Sequence, residues 1–123
     1  MLEQAKVAGT VILNQEDGHK KFLVKKISNQ VELVMADIDS EYTSLACILN
    51  EFRDEVHLNT KDMDLVELTN VNIGKDKMPL FVFSLEEEKD NLNLDTDIFF
   101  WEEPAILREV LQNFQISGVP YLT

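Results

Sequence analysis

The sequence predicts an α/β domain in which helices are layered on a mixed β-sheet. Early apolar runs rich in β-branched residues read as strands, and near residue 42 the apolar period changes to that of a helix. Further strands follow before a second helix opened by Pro104. Helices separated by several strands indicate a layered domain around a mixed sheet, not a doubly wound parallel one.

The first strand is KVAGTVILN, residues 6–14, and the second is KFLVKKI, residues 21–27. QEDGHK lies between them, with Asp17-Gly18 supplying the turn of a hairpin. In the second strand Phe22 and Val24 alternate with Leu23 and Lys25 across the two faces. VELVMA, residues 31–36, reads as a third strand. Tyr42, Leu45, Leu49, Phe52 and Val56 then form one apolar stripe at spacings of three and four. They predict a helix from Glu41 to Glu55, capped by Asp39 or Ser40 and docked on the sheet.

DLVELTNVN and MPLFVFSLEEE read as two strands joined across a turn at Gly74, and DIFFWEE as a further short strand. Ile106, Leu107, Val110, Leu111 and Phe114 give the last helix its buried face. Gly118 and Pro120 mark a tail expected to lie over the surface.

With 123 residues and a 45% hydrophobic fraction, the expectation is one folded domain spanning residues 1–123. The single cysteine, Cys47, precludes an internal disulfide framework and fits a reducing compartment. MLEQAKVAGTVIL lacks a basic region followed by a sustained apolar stretch, so no secretory leader is expected. No window has the apolar length of a membrane-spanning helix, and a soluble cytoplasmic protein is the expectation. Eleven basic residues against 23 acidic ones give a net charge of −12. Such a field opposes binding to nucleic acid and to anionic membranes. A small anionic ligand would need a bridging metal or a local basic pocket.

NEFRDEVHL gathers Glu51, Asp54 and Glu55 at the expected end of the first helix. Residues three and four apart share a helical face, so these carboxylates repel one another. They also meet the negative end of the helix dipole, at a cost of about 0.3–1 kcal/mol each. A hard divalent cation would reverse the sign of every one of these interactions. A solvated acidic patch is the alternative in a chain this acidic.

The arrangement of the whole chain resembles a Nudix domain, the fold of the Nudix hydrolases. That family carries a box written Gly-x5-Glu-x7-Arg-Glu-U-x-Glu-Glu-x-Gly-U, where U is a bulky aliphatic residue. Aligning the end of the box places Asn50, Glu51, Phe52, Arg53, Asp54, Glu55, Val56, His57 and Leu58 on its last nine positions. VAGTVILN and KFLVKK are similar to the family's opening hairpin, MPLFVFSLEE to its later core strand, and DIFFWEEPAILREVL to its strand and final helix.

The resemblance implies a Nudix-like layered α/β/α sandwich. It also implies Mg²⁺ or Mn²⁺ held by Glu51, Asp54 and Glu55, with Glu51 and Glu55 as the catalytic pair. The box is degenerate. Its first glycine falls on Ala36, its first glutamate on Tyr42, its arginine on Asn50 and its closing glycine on His57. In the family the arginine orients a helix carboxylate, which Asn50 can do only as a neutral hydrogen-bonding group. Ala36 and His57 supply positive φ and close backbone approach less readily than glycine. Asp54 carries its charge on a shorter arm than glutamate.

By the same resemblance, Lys25 and Lys26 sit where a strand end presents a basic residue to phosphates; blunting an exposed strand edge is the plainer role. Glu86, with Glu87 and Glu88, is a candidate further carboxylate, against a solvated loop. His57 is expected to cap the helix end, His19 to be exposed beside a turn, and Cys47 to pack. Trp101 and the Phe99–Phe100 pair read as core.

Three functions follow from the resemblance. The leading one is a catalytically weakened or inactive relative that binds a nucleotide or other diphosphate-containing ligand. The second is an active Mg²⁺-dependent hydrolase of nucleoside diphosphate-linked substrates. The third is a non-catalytic protein-interaction scaffold, as a homodimer or with another protein.

Overall fold

The computed structural model describes residues 6–28, 30–39, 41–73, 76–87, 98–111 and 115–117. Two strands, β1 (Lys6–Asn14) and β2 (Lys20–Ile27), form the opening hairpin. Its turn is closed by Gly18 N–H donating to the Gln15 carbonyl, with Gly18 at φ 90. The stretch read as one third strand is two, β3 (Gln30–Glu32) and β4 (Val34–Asp37), interrupted at buried Leu33. Their partners explain the break, because β3 continues alongside β2 whereas β4 has moved across to β1.

Helix α1 (Ser44–Asp54) begins three residues later than the apolar period suggests. Thr43 is its cap, accepting from the Ala46 N–H at 3.1 Å. Asp39 instead shapes the preceding turn, accepting from Glu41 N–H with its side chain and from Tyr42 N–H with its carbonyl. Tyr42 therefore leaves the core stripe, and Cys47, Ile48, Phe52 and Val56 are the buried residues of this segment. Ser40 lies outside the described residues.

After a short 3-10 turn at Thr60–Asp62, β5 (Asp64–Ile73) and β6 (Asp76–Glu86) form an antiparallel pair. β7 (Phe99–Glu102) pairs with β2, and α2 (Pro104–Leu111) lies against β2 as well. A last strand, β8 (Gln115–Ser117), joins β5. Gly74, Glu88, Phe114, Gly118 and Pro120 lie outside the described residues.

The sheet runs β3-β2-β1-β6-β5-β8 and is mixed, with β1 and β6 parallel and the other pairs antiparallel. This is the layered α/β sandwich that the sequence predicts. Strand β1 is buried from Val7 to Leu13, on both faces, as a central strand with a parallel neighbour must be. The two-residue period then sorts the core into two layers. Val7, Val11, Leu23, Phe83 and Phe99 face Ile48 and Phe52 of α1, while Ala8, Ile12, Phe22, Val24 and Leu80 face the opposite side. Phe52 meets Phe83 edge to face at 5.7 Å. Thr10 is fully buried, and its hydroxyl satisfies the Leu23 carbonyl at 3.0 Å. With β7 on one side and β1 and β3 on the other, β2 is an interior strand, so Lys25 and Lys26 do not blunt an edge.

Gly9 sets the height of α1 above the sheet. A Cβ at this position would lie 2.6 Å from Ile48 Cγ1 and 2.8 Å from Phe52 Cζ, both in fully buried side chains. Gly9→Ala should lower unfolding free energy by about 1–3 kcal/mol through overpacking. Chemical denaturation checks this, and a change below about 0.5 kcal/mol would show that α1 moves freely on β1.

Candidate functional site

The last turn of α1 and the strand end of β4 enclose an open concavity of about 490 Å³, within the usual range of ligand sites. Glu51, Asp54 and Glu55 line it from α1, together with Asn50 and Cys47, while Ala36 and Asp37 line it from β4. Asp39 and Tyr42 complete the wall. All three box carboxylates thus border one cavity, but they stand in different environments. Asp37 and Asp39 are site residues that the sequence reading placed elsewhere or passed over. Their spacing of two at a strand end was the available signal.

Glu51 is half-buried. Burial pushes its pKa above the ordinary 4.5, and the charges of Glu55, Asp37 and Asp54 add to the rise, opposed by Lys25. Asp54 is exposed and held by its neighbour, with Arg53 Nε donating to Oδ1 at 2.9 Å and Nη2 to Oδ2 at 3.2 Å. That guanidinium lowers the Asp54 pKa. Arg53 therefore neutralises Asp54 and leaves Glu51 and Glu55 as the unneutralised pair. Asp37 is bridged at 3.0 Å by Lys6, its register partner on β1.

Among the described residues, no three His, Cys, Asp or Glu side chains come together closely enough to hold a metal. The donor chemistry nevertheless suits a hard divalent ion. Mg²⁺ takes one or two carboxylates and keeps its remaining waters, so Glu51 and Glu55 form an adequate oxygen pair.

The basic candidates separate. Successive strand residues face opposite sides, so Lys25 shares the α1 face with Leu23 and bears electrostatically on Glu51. Lys26 points the other way, with Nζ 2.7 Å from Glu102 and 4.8 Å from the centre of the Phe100 ring. It does not reach the concavity. Glu86 does not reach it either. It pairs with Asn14, at the opposite end of β1 from the Val7–Ala36 pairing beside the cavity. Seven strand residues make that separation roughly 23 Å. Glu87 lies beyond β6, next to Glu86. His19 is exposed and contacts Asp17 at 2.9 Å, which raises the His19 pKa.

The position that the resemblance aligns with the closing glycine of the box takes a glycine-like backbone. His57 adopts φ 66, the left-handed conformation, although it carries a side chain. This turn lets Leu58 N–H reach back to the Phe52 carbonyl at 2.9 Å, while Glu55 and Val56 N–H both donate to the Glu51 carbonyl. The backbone geometry that favours glycine is retained without it, at an expense of about 1–2 kcal/mol.

No protein-family model matches the sequence, and no curated protein does. Solved structures do match the fold. An Ap4A hydrolase from C. elegans aligns at a TM-score of 0.67 over 90% of this chain and 88% of its own, with 12% identity. A MutT/Nudix family protein from Listeria innocua aligns at 0.68 over 89% and 83%, also at 12% identity. The Nudix domain of Shewanella oneidensis NrtR, solved in complex with ADP-ribose, aligns at 0.54 over 91% and 78%, again at 12% identity. The chain has a Nudix-like fold.

Two measurements probe this site. His57→Gly should stabilise the protein by about 0.5–1 kcal/mol, the relieved strain less the extra freedom of the unfolded chain. A destabilised variant would mean that the His57 side chain contributes more than its backbone costs. For Glu51, a raised pKa means that the folded protein takes up the proton more readily than the unfolded chain. Stability from this group is fully present below the ordinary 4.5 and lost as pH rises through the folded value. In chelator, Glu51→Gln should therefore melt above the wild type at pH 7, with the difference closing below pH 4.5. Equal melting temperatures at both pH values would show that the carboxylate is fully solvated.

Proposed function

We propose that this chain is a single cytoplasmic Nudix-like domain that binds a nucleotide or other diphosphate-containing ligand and has weak or no hydrolytic activity. The observation that carries this reading is the pairing of half-buried Glu51 with Glu55 on a ligand-sized concavity, with Lys25 nearby and Asp54 held by Arg53. An anion does not enter such a cavity alone. Glu51 and Glu55 would hold Mg²⁺ or Mn²⁺, and Lys25 would add positive charge on the phosphate side.

When bound, the metal polarises a phosphoryl oxygen and lowers the pKa of a coordinated water. Glu51 would then remain ionised, because an adjacent dication outweighs its desolvation. Binding uses the carboxylates only as anionic anchors. Hydrolysis asks more, since it requires the attacking oxygen to be placed within about 0.5 Å. In this chain Asn50 brings no charge to orient a carboxylate, and Arg53 competes for Asp54. Both departures weaken positioning more than affinity.

An active hydrolase is the second reading, favoured by the left-handed turn at His57, which keeps the end of α1 in the form that a glycine would give. One experiment separates the readings. Thermal unfolding with Mg²⁺ and ADP-ribose, ADP or inorganic pyrophosphate should show stabilisation of about 2.7 kcal/mol at a hundredfold excess over Kd. Phosphate release should stay near background. Turnover that disappears in Glu55→Gln would establish the hydrolase instead. If no ligand raises the melting temperature, with or without metal, the site is not a diphosphate site and a scaffold role, including a homodimer, takes its place.

A further inference from the structure

We propose that Arg53 is a specificity-determining residue of this site: by holding Asp54 it restricts the concavity to two free carboxylates, and so favours Mg²⁺ over Ca²⁺. It is a positioning residue, acting through Asp54 and not on the metal. The inference rests on the reading of Glu51 and Glu55 as metal-binding and adds what decides the choice of cation.

Five acidic side chains line the cavity, Asp37, Asp39, Glu51, Asp54 and Glu55. Three of them are already engaged. Lys6 Nζ lies 3.0 Å from Asp37, and the Glu41 N–H donates to Asp39 at 2.9 Å. Arg53 donates to both oxygens of Asp54, at 2.9 and 3.2 Å. Among the described residues Glu51 and Glu55 have no such side-chain partner. The Arg53–Asp54 contact is also the most specific of the three, since the planar guanidinium fork matches the edge of a carboxylate.

Helical geometry gives the direction of the pull. At about 3.6 residues per turn, Asp54 projects about 60° to one side of Glu51 and Glu55 about 40° to the other. Arg53 stands about 100° beyond Asp54 on the same side. Its grip therefore draws Asp54 away from Glu51 and leaves Glu55 beside it. The electrostatics agree, because burial leads the rise in the Glu51 pKa, Glu55 is the leading charge, and Asp54 comes last among the carboxylates. Ligand number then decides the cation. Mg²⁺ takes one or two carboxylates and keeps its waters, whereas Ca²⁺ gathers about six to eight oxygens in a flexible shell. Two carboxylates suit the first ion, and a third on a free arm favours the second. The side chains of Arg53 and Asp54 are 59% and 60% exposed. Solvent screens such a pair, so the bias it imposes is roughly three- to fivefold.

Electron paramagnetic resonance of Mn²⁺ bound to the full chain, displaced by Mg²⁺ or by Ca²⁺, tests this. The proteins are wild type, Arg53→Gln, the double variant Arg53→Gln with Asp54→Asn, and Glu55→Gln. The readout is the ratio of Ca²⁺ to Mg²⁺ affinity. Loss of a positive charge strengthens both dications alike, so only a change of ligands moves the ratio. Arg53→Gln should raise it roughly three- to fivefold, and adding Asp54→Asn should return it to the wild-type value. A constant ratio with both affinities raised would reduce Arg53 to a surface charge and overturn the inference, leaving the metal site standing. A raised ratio that survives Asp54→Asn overturns it equally. If Glu55→Gln binds Mn²⁺ as tightly as wild type, the metal reading itself fails and takes this inference with it.

Discussion

The contact between Gly9 and α1 is the constraint on which the rest of this structure depends. A strand residue with no side chain lets Ile48 and Phe52 descend onto β1, where any Cβ would lie within 3 Å of them. The α1 carboxylates are carried by the same rigid element. The height of the helix therefore sets where Glu51 and Glu55 stand relative to Asp37 on β4 and Lys25 on β2. Packing on the buried face and electrostatics on the open face are two consequences of one close approach. Leu23 and Phe99 continue this layer under the helix, and Lys25, two residues on from Leu23, bears electrostatically on Glu51.

The electrostatics of the helix end make sense only against that packing. A free helix would avoid three acids at its C-terminus. Here the hydrophobic face fixes the helix regardless, and the acids are tolerated as a local cost. The protein offsets part of it with neighbours, since Arg53 engages Asp54 and Lys6 engages Asp37. Glu51 has no such partner at hydrogen-bonding distance among the described residues, and burial, with the charges of Glu55, Asp37 and Asp54 added, raises its pKa. At this helix end, uncompensated charge thus lies on the wall of a concavity.

Much of this arrangement was legible in the residues because it follows from period. The opening hairpin, the long antiparallel pair and the helix opened by Pro104 all announce themselves through alternation or turn chemistry. The start of α1 did not. Tyr42 fits the three-four spacing, but Asp39 and Thr43 win locally by hydrogen-bonding the backbone into a turn and a cap. The break at Leu33 was hidden because both halves are apolar, and only the change of partner strand divides them. Strand β8 is three residues long, too short to carry a pattern. At the site, the carboxylate cluster was visible as spacing. The separation of Lys25 from Lys26 follows from strand alternation, whereas the capture of Asp54 by Arg53 and the positive φ of His57 required coordinates.

The parallel pairing of β1 with β6 has a kinetic consequence. Ala8 lies beside Leu80 and Asn14 beside Glu86, partners separated by 72 positions in the chain. The hairpin, β4 and α1 can assemble from neighbours, but the second long edge of β1 stays bare until β6 arrives. Contacts of such sequence separation slow folding, because a long loop must close before they form. During synthesis the apolar first strand must wait for residues 76–86 to emerge. A ribosome stalled before residue 76 would leave that edge open to aggregation.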